Sequence, residues 1–203
     1  MNITLSRLLR RALPVAGLLA TASAGAHTGV DAGSHHGLLS GFAHPITGLD
    51  HLAAMIGVGL WSAISAPAVD RRMLWAPLSF ALMLLAGALL GYAGIELPAV
   101  EPMIAASVLL LGLLATARLA LPGAAAAALV GAFAVFHGVA HGLELGQANA
   151  GLAALAGMVM ATALLHGTGL AIGITLRERN VWLPRLAGTA VTLFGAALVG
   201  GWA

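Results

Sequence analysis

The 203-residue chain has no cysteine and no lysine, and only 8% of its residues are charged. Without cysteine there are no disulfides, thiolate metal sites or thiol nucleophile, so any bound metal depends on nitrogen, oxygen or thioether ligands. The scarcity of charge excludes an ordinary soluble domain, in which about a quarter of residues are charged. What replaces charge is apolar surface: 60% of the residues are hydrophobic and the mean hydropathy is +0.99. A basic face for nucleic acid is also missing. Three of the nine arginines (Arg7, Arg10, Arg11) lie in an N-terminal leader, which leaves six arginines against seven acids in the rest. No nucleic-acid partner is therefore expected.

The leader has the layout of a secretory signal peptide: the three arginines, an apolar stretch from Ala12 to Ala22, then the small residues Ala22-Ser23-Ala24-Gly25-Ala26. Its apolar part is about half of the roughly 20 residues a permanent span needs. Cleavage after Ala26 fits best, with Ala24 as a second site and an uncleaved signal anchor as the other reading; it gives a signal peptide over residues 1–26 and a periplasmic segment over 27–43 that carries His27, His35 and His36. These three histidines are candidates for metal capture, as well as ordinary members of a flexible tail.

Beyond the leader, apolar runs of spanning length occur at Pro45 to Ala66, Met73 to Tyr92, Ala99 to Ala117, Ala124 to Gln147, Gly151 to Leu176 and Leu183 to Trp202. The expected fold is all-α: one transmembrane domain over residues 44–203, built as a bundle of six helices with short loops. Arginine in short loops marks the cytoplasmic side. Arg71 and Arg72 follow the first run, Arg118 the third, and Arg177, Arg179 and Arg185 surround the break after the fifth. All six then fall on one face, with the N- and C-termini on the opposite, periplasmic side. Gly87 with Gly91, Gly138 with Gly142 and Gly146, and Gly169 with Gly173 are spaced for close helix packing.

Ionisable side chains inside a membrane cost at least about 2.5 kcal/mol each at the centre and usually face a cavity, a partner or a transport path. Here they are few and patterned. The first run opens with His44-Pro45-Ile46-Thr47-Gly48-Leu49-Asp50-His51. Pro45 suits a first helical position, so the span is expected to start there with His44 at its lip. Asp50 and His51 would then lie roughly 8 to 9 Å deeper, with His44, His51 and Met55 along one face. Asp50 either orients the neighbouring imidazole or binds a cation itself.

The fourth run supplies His137, His141 and Glu144, at i, i+4 and i+7 on one helical face. Two imidazoles one turn apart form a chelating pair, and a carboxylate one turn further on adds attraction for a cation. Gly138 stands where a zinc-protease helix would carry its catalytic Glu. His166 in the fifth run lies deeper, as a relay ligand or as a histidine bonded to a carbonyl. Glu101, at the start of the third run, either enriches cations electrostatically or is a solvated charge.

A series of weak sites graded in depth suits permeation, whereas a structural site wants one saturated shell. The main alternative is an intramembrane metal-dependent hydrolase with a His-bound zinc and Asp50 or Glu144 handling protons. No serine accompanies the histidines of the fourth and fifth runs, which counts against it. A proton-relay or structural subunit is a third reading. The six runs also divide into two sets of three with opposite topology, each beginning with a polar motif. This is the pattern of an inverted repeat, whose sites lie where the halves meet, and it requires contact between the first and fourth helices.

His44-Pro45-x-x-Gly48-x-Asp50-His51, continued by Ala54-Met55 and Gly57-x-Gly59, together with His137-Gly138-x-Ala140-His141-Gly142-x-Glu144, resembles the HupE/UreJ family of nickel permeases. The resemblance covers essentially the whole chain after the leader. It implies a multi-pass protein of the bacterial cytoplasmic (inner) membrane and ATP-independent uptake of Ni2+, with Co2+ in some members, in support of hydrogenase or urease. It further implies metal as substrate with no permanently bound cofactor, and no enzymatic activity. The family's functional residues correspond to His44, Asp50, His51, His141 and Glu144, with His137 in the same motif.

Overall fold

The computed structural model describes residues 37–148 and 151–203. The leader, His27, His35, His36 and Asn149 lie outside the described residues. Among those described there is no strand. The helices are α1 (Leu38–Thr47), α2 (Leu49–Ser65), α3 (Trp75–Tyr92), α4 (Val100–Ala117), α5 (Gly123–Gln147), α6 (Gly151–Arg179) and α7 (Trp182–Val199), with a single 3-10 turn at Arg71–Leu74 before α3. Among the described residues five helices are long and apolar enough to cross a membrane unaided, the 3-10 turn being counted with α3; α1 and α2 together make the sixth only as a pair bent by 87°.

That bend corrects the expected start of the first span. Pro45 lies inside α1 and does not open the spanning helix, and the predicted domain boundary at residue 44 falls within α1. Proline removes one backbone donor and crowds the preceding turn, which weakens α1 near its end. The chain then breaks at Gly48, whose extended backbone (φ −87°, ψ 117°) caps both helices. The Thr47 hydroxyl donates to the His44 carbonyl at 2.8 Å, satisfying an acceptor in the last turn of α1. Gly48 also leaves room: a Cβ there would stand 3.0 Å from Asp50 Oδ1. Asp50 consequently occupies the first turn of α2, where the helix dipole favours a carboxylate, and not a position one to two turns inside.

The tightest helix pairings are α3 with α5, α4 with α7 and α2 with α6, and α1 lies against the beginning of α6. Glycines make them possible. At Gly87 and Gly91 of α3, and at Gly138 and Gly142 of α5, backbone of the partner helix occupies the space a Cβ would need. Gly59 of α2 and Gly169 of α6 face each other's helices in the same way, as do Gly112 of α4 and Gly188 of α7. These pairings link the first three spans to the last three. Exchanging the halves turns α2 with α6 into α5 with α3, and returns α4 with α7 to itself, as an inverted repeat requires.

The arginines gather at one end of α2. Arg177 donates to the Ala63 carbonyl at 2.9 Å and Arg118 to the Ile64 carbonyl at 3.3 Å. The last carbonyls of a helix lack backbone partners and carry its negative dipole end, so guanidinium groups suit them. Trp61 adds a bond from Nε1 to the Leu119 carbonyl at 3.0 Å. Arg71 and Arg72 occupy the turn that follows α2, and Arg185 lies 5.5 Å over the Trp182 ring.

The glycine contacts give a paired prediction. Gly142→Leu forces α3 and α5 apart and is expected to destabilise the protein by about 1–3 kcal/mol or to block assembly. Gly167→Leu, where nothing lies within 4 Å, leaves stability unchanged. Thermal unfolding in detergent compares the two, and equal midpoints would contradict the packing described.

Candidate metal-binding site

Three helices converge at the end of the bundle opposite the arginines. α1 brings His44, the first turn of α2 brings Asp50 and His51, and the last half of α5 brings His137, His141 and Glu144. His44 Nε2 lies 2.6 Å from Glu144 Oε2, with side chains 30% and 60% exposed. A pair this exposed contributes at most about 1 kcal/mol to stability, so folding energetics do not explain its placement. His141, only 3% exposed, lies beneath it. One ligand atom from each of His44, His141 and Glu144 lies within 4.8 Å of the others. Nitrogen, nitrogen and carboxylate oxygen at that spacing make a donor set for a borderline divalent cation.

From there the imidazoles continue inward in contact. The His141 ring centroid is 4.7 Å from that of His44 and 4.2 Å from that of His51, and His51 meets His137 edge to face at 5.0 Å. His44 and His51 do not share a helical face, because the bend separates their helices; both reach His141 because the chain folds over at Gly48. The expected drop of roughly 8 to 9 Å between them presumed an unbroken helix. The first and fourth spans, α2 and α5, meet through these rings, as the inverted repeat requires.

Three of the inner histidines have one partnered nitrogen each. His51 Nδ1 lies 2.9 Å from Asp50 Oδ1, His137 Nε2 lies 2.9 Å from the Ser107 hydroxyl of α4, and His166 Nδ1 donates to the Met55 carbonyl at 2.7 Å. The opposite nitrogens, His51 Nε2, His137 Nδ1 and His166 Nε2, are buried without a hydrogen-bond partner, as is His141 Nε2. His166 is not part of the ring-contact series. The buried ring of Phe80 bridges the gap, 5.5 Å from His137 and 5.0 Å from His166. Met55 is fully buried beside His166, its sulfur 3.5 Å from the Thr162 hydroxyl. Glu101 is exposed in the first turn of α4 and takes no part in these contacts.

Ser107 and Phe80 were not singled out by sequence. A serine inside a 60% hydrophobic chain is a visible signal, but Ser107 lies 30 residues before the histidine it meets. Phe80 gives no signal at all, since an aromatic residue in an apolar helix looks like core.

A family model described as HupE / UreJ protein matches residues 15–198. The chain belongs to the HupE/UreJ family. A relative described as Protein HupE, from Rhizobium leguminosarum bv. viciae, is 38% identical over 189 residues, covering 92% of this chain and 95% of that protein. No solved structure matches. HupE/UreJ proteins are permeases for nickel or cobalt, so this is a multi-pass membrane transporter and not an enzyme. Family membership thus sets aside the zinc hydrolase, even though Ser107 does lie against a histidine of the fourth span.

The convergence of α1 on α5 is open to a direct test because the chain has no native cysteine. A protein carrying His44→Cys and Glu144→Cys is expected to be joined efficiently by a short bifunctional thiol reagent in membranes. The combination of His44→Cys with Glu178→Cys, at the arginine end, is not. Fragment mobility after cleavage in the α3–α4 loop reads the link, and equal yields for the two pairs would show that α1 does not fold over the bundle.

Proposed function

We propose that this HupE/UreJ protein carries Ni2+ into the cell across the bacterial cytoplasmic membrane without ATP. The observation that carries this is the unbroken contact of His44, Glu144, His141, His51 and His137 from an exposed mouth to a buried interior. His44, His141 and Glu144 capture the hydrated ion at the mouth. Asp50 holds His51 towards it, and His51 and His137 replace water ligands as the ion moves inward. Several sites of two or three ligands each bind strongly enough to admit an ion and weakly enough to release it. His166 and the Met55 sulfur are the next nitrogen and thioether donors beyond Phe80. The mouth faces the periplasm, with both termini on that side and the arginines in the cytoplasm, as the positive-inside pattern favours.

Imidazole with carboxylate suits nickel and cobalt, but such ligands bind copper more tightly in the Irving–Williams order. Preference for Ni2+ therefore rests on passage as well as binding. The metal is substrate and none is held permanently. Delivery to hydrogenase or urease follows from the family resemblance, and His27, His35, His36 and Glu101 remain candidates for concentrating ions outside the mouth.

Initial rates of radioactive nickel uptake into proteoliposomes test the assignment. Asp50→Ala and His51→Ala are each expected to lower the rate at least about 10-fold, the scale on which loss of a ligand or its orienting partner acts. Wild-type rates in both would remove this path. Excess Co2+ is expected to compete more effectively than Zn2+, and the reverse order would reassign the substrate.

A further inference from the structure

The hydrogen bonds around His137 fix which of its nitrogens can bind a metal. The Ser107 hydroxyl lies 2.7 Å from the Ile104 carbonyl and 2.9 Å from His137 Nε2. A carbonyl only accepts, and serine has a single hydroxyl proton. Both contacts are hydrogen bonds only when Ser107 donates to Ile104 and accepts from His137 Nε2–H. His137 therefore carries its proton on Nε2 and keeps a lone pair on Nδ1. That nitrogen is unpartnered in a residue with 0% exposure. His51 shows the same division: its Nδ1–H faces the Asp50 carboxylate, leaving a lone pair on an unpartnered Nε2.

Two neutral imidazoles from different helices thus meet at 5.0 Å, each with a bare lone pair buried away from water. A buried acceptor without a donor is costly, by roughly 1–3 kcal/mol, and two lone pairs on neighbouring rings cannot satisfy each other. A cation satisfies both. Ligating histidines characteristically donate their other N–H to a carboxylate or another oxygen acceptor, which sets the tautomer and orientation. Asp50 and Ser107 occupy that position for His51 and His137.

We infer that His51 Nε2 and His137 Nδ1 form a second, inner station for a divalent cation, below the one at His44, His141 and Glu144, and that Ser107 is its positioning residue. This inference rests on the transport reading for its role in uptake, but not for the binding itself. Ser107 touches no metal. It commits His137 to the ligating tautomer, and without it the ring is free to turn or to move its proton to Nδ1.

The test uses the full-length protein in detergent with Ni2+ alone, measuring bound ions per chain and the imidazole count by X-ray absorption, alongside uptake in proteoliposomes. Wild type is expected to bind two ions. Ser107→Ala is expected to bind one, with fewer imidazoles per chain engaged, and to lose at least about 10-fold in maximal uptake. Its half-saturating concentration changes less, since capture at the mouth is intact. Ser107→Thr keeps the hydroxyl and adds one methyl at the edge of the apolar cavity bordered by Val58, Phe80, Leu111 and Ser107. It is expected to restore the second ion and the rate, which a merely structural role for Ser107 would not require.

Two bound ions and wild-type uptake in Ser107→Ala would overturn the positioning role. Two bound ions in His137→Ala, which tests the station even if Ser107→Ala fails to fold, would overturn the station itself. Two ions in wild type with no flux would leave the station standing and remove the transport reading, so the two failures are distinct.

Discussion

An imidazole ring has two nitrogens, and in the interior of this bundle at most one per histidine has a hydrogen-bond partner. No lysine exists in the chain and the described arginines lie at the far end of α2, so no side-chain cation balances the histidine and carboxylate cluster. Water cannot serve freely either at His137, His141 and His166, which are at most 3% exposed. The helices that pair through glycine do so tightly enough to exclude solvent while holding His137, His141 and His166 inward. Close packing and unmet ligand capacity are therefore two sides of one arrangement.

The donor set follows from the composition. With no thiolate in the chain, the site has imidazole, carboxylate and one adjacent thioether, a selection that suits borderline divalent ions and excludes the soft, tightly held sites built on cysteine. Spreading these donors over a succession of contacts, with Glu144 at the exposed end, keeps any single position short of a full coordination shell. A saturated four-ligand shell would hold the ion as structure.

Much of this was legible in the sequence because a membrane penalises polar groups severely enough to make each survivor informative. The all-helical, apolar character of the spans, the gathering of arginines and the role of the glycines in packing could be read from spacing alone. The pairing of His44 with Glu144, 100 residues apart, could not, since it depends on how α1 turns at Gly48. Pro45 misled for a related reason: its fixed φ fits the first turn of a helix, and nothing local distinguishes that from the last turn of a preceding one. Ser107 was unreadable because its significance lies in the atom it faces across two helices.

The two ends of α2 are held very differently. At one end Arg118 and Arg177 grip its final carbonyls while Trp61 ties it to Leu119, just beyond α4; at the other the backbone is broken at Gly48 and the helix carries Asp50 and His51 on its first turn. One end is thus tied by side chains to neighbouring segments, while the other begins at a break in the backbone. A small tilt about the arginine end would be largest at the other, so it would act most on His51 and its neighbouring carboxylate.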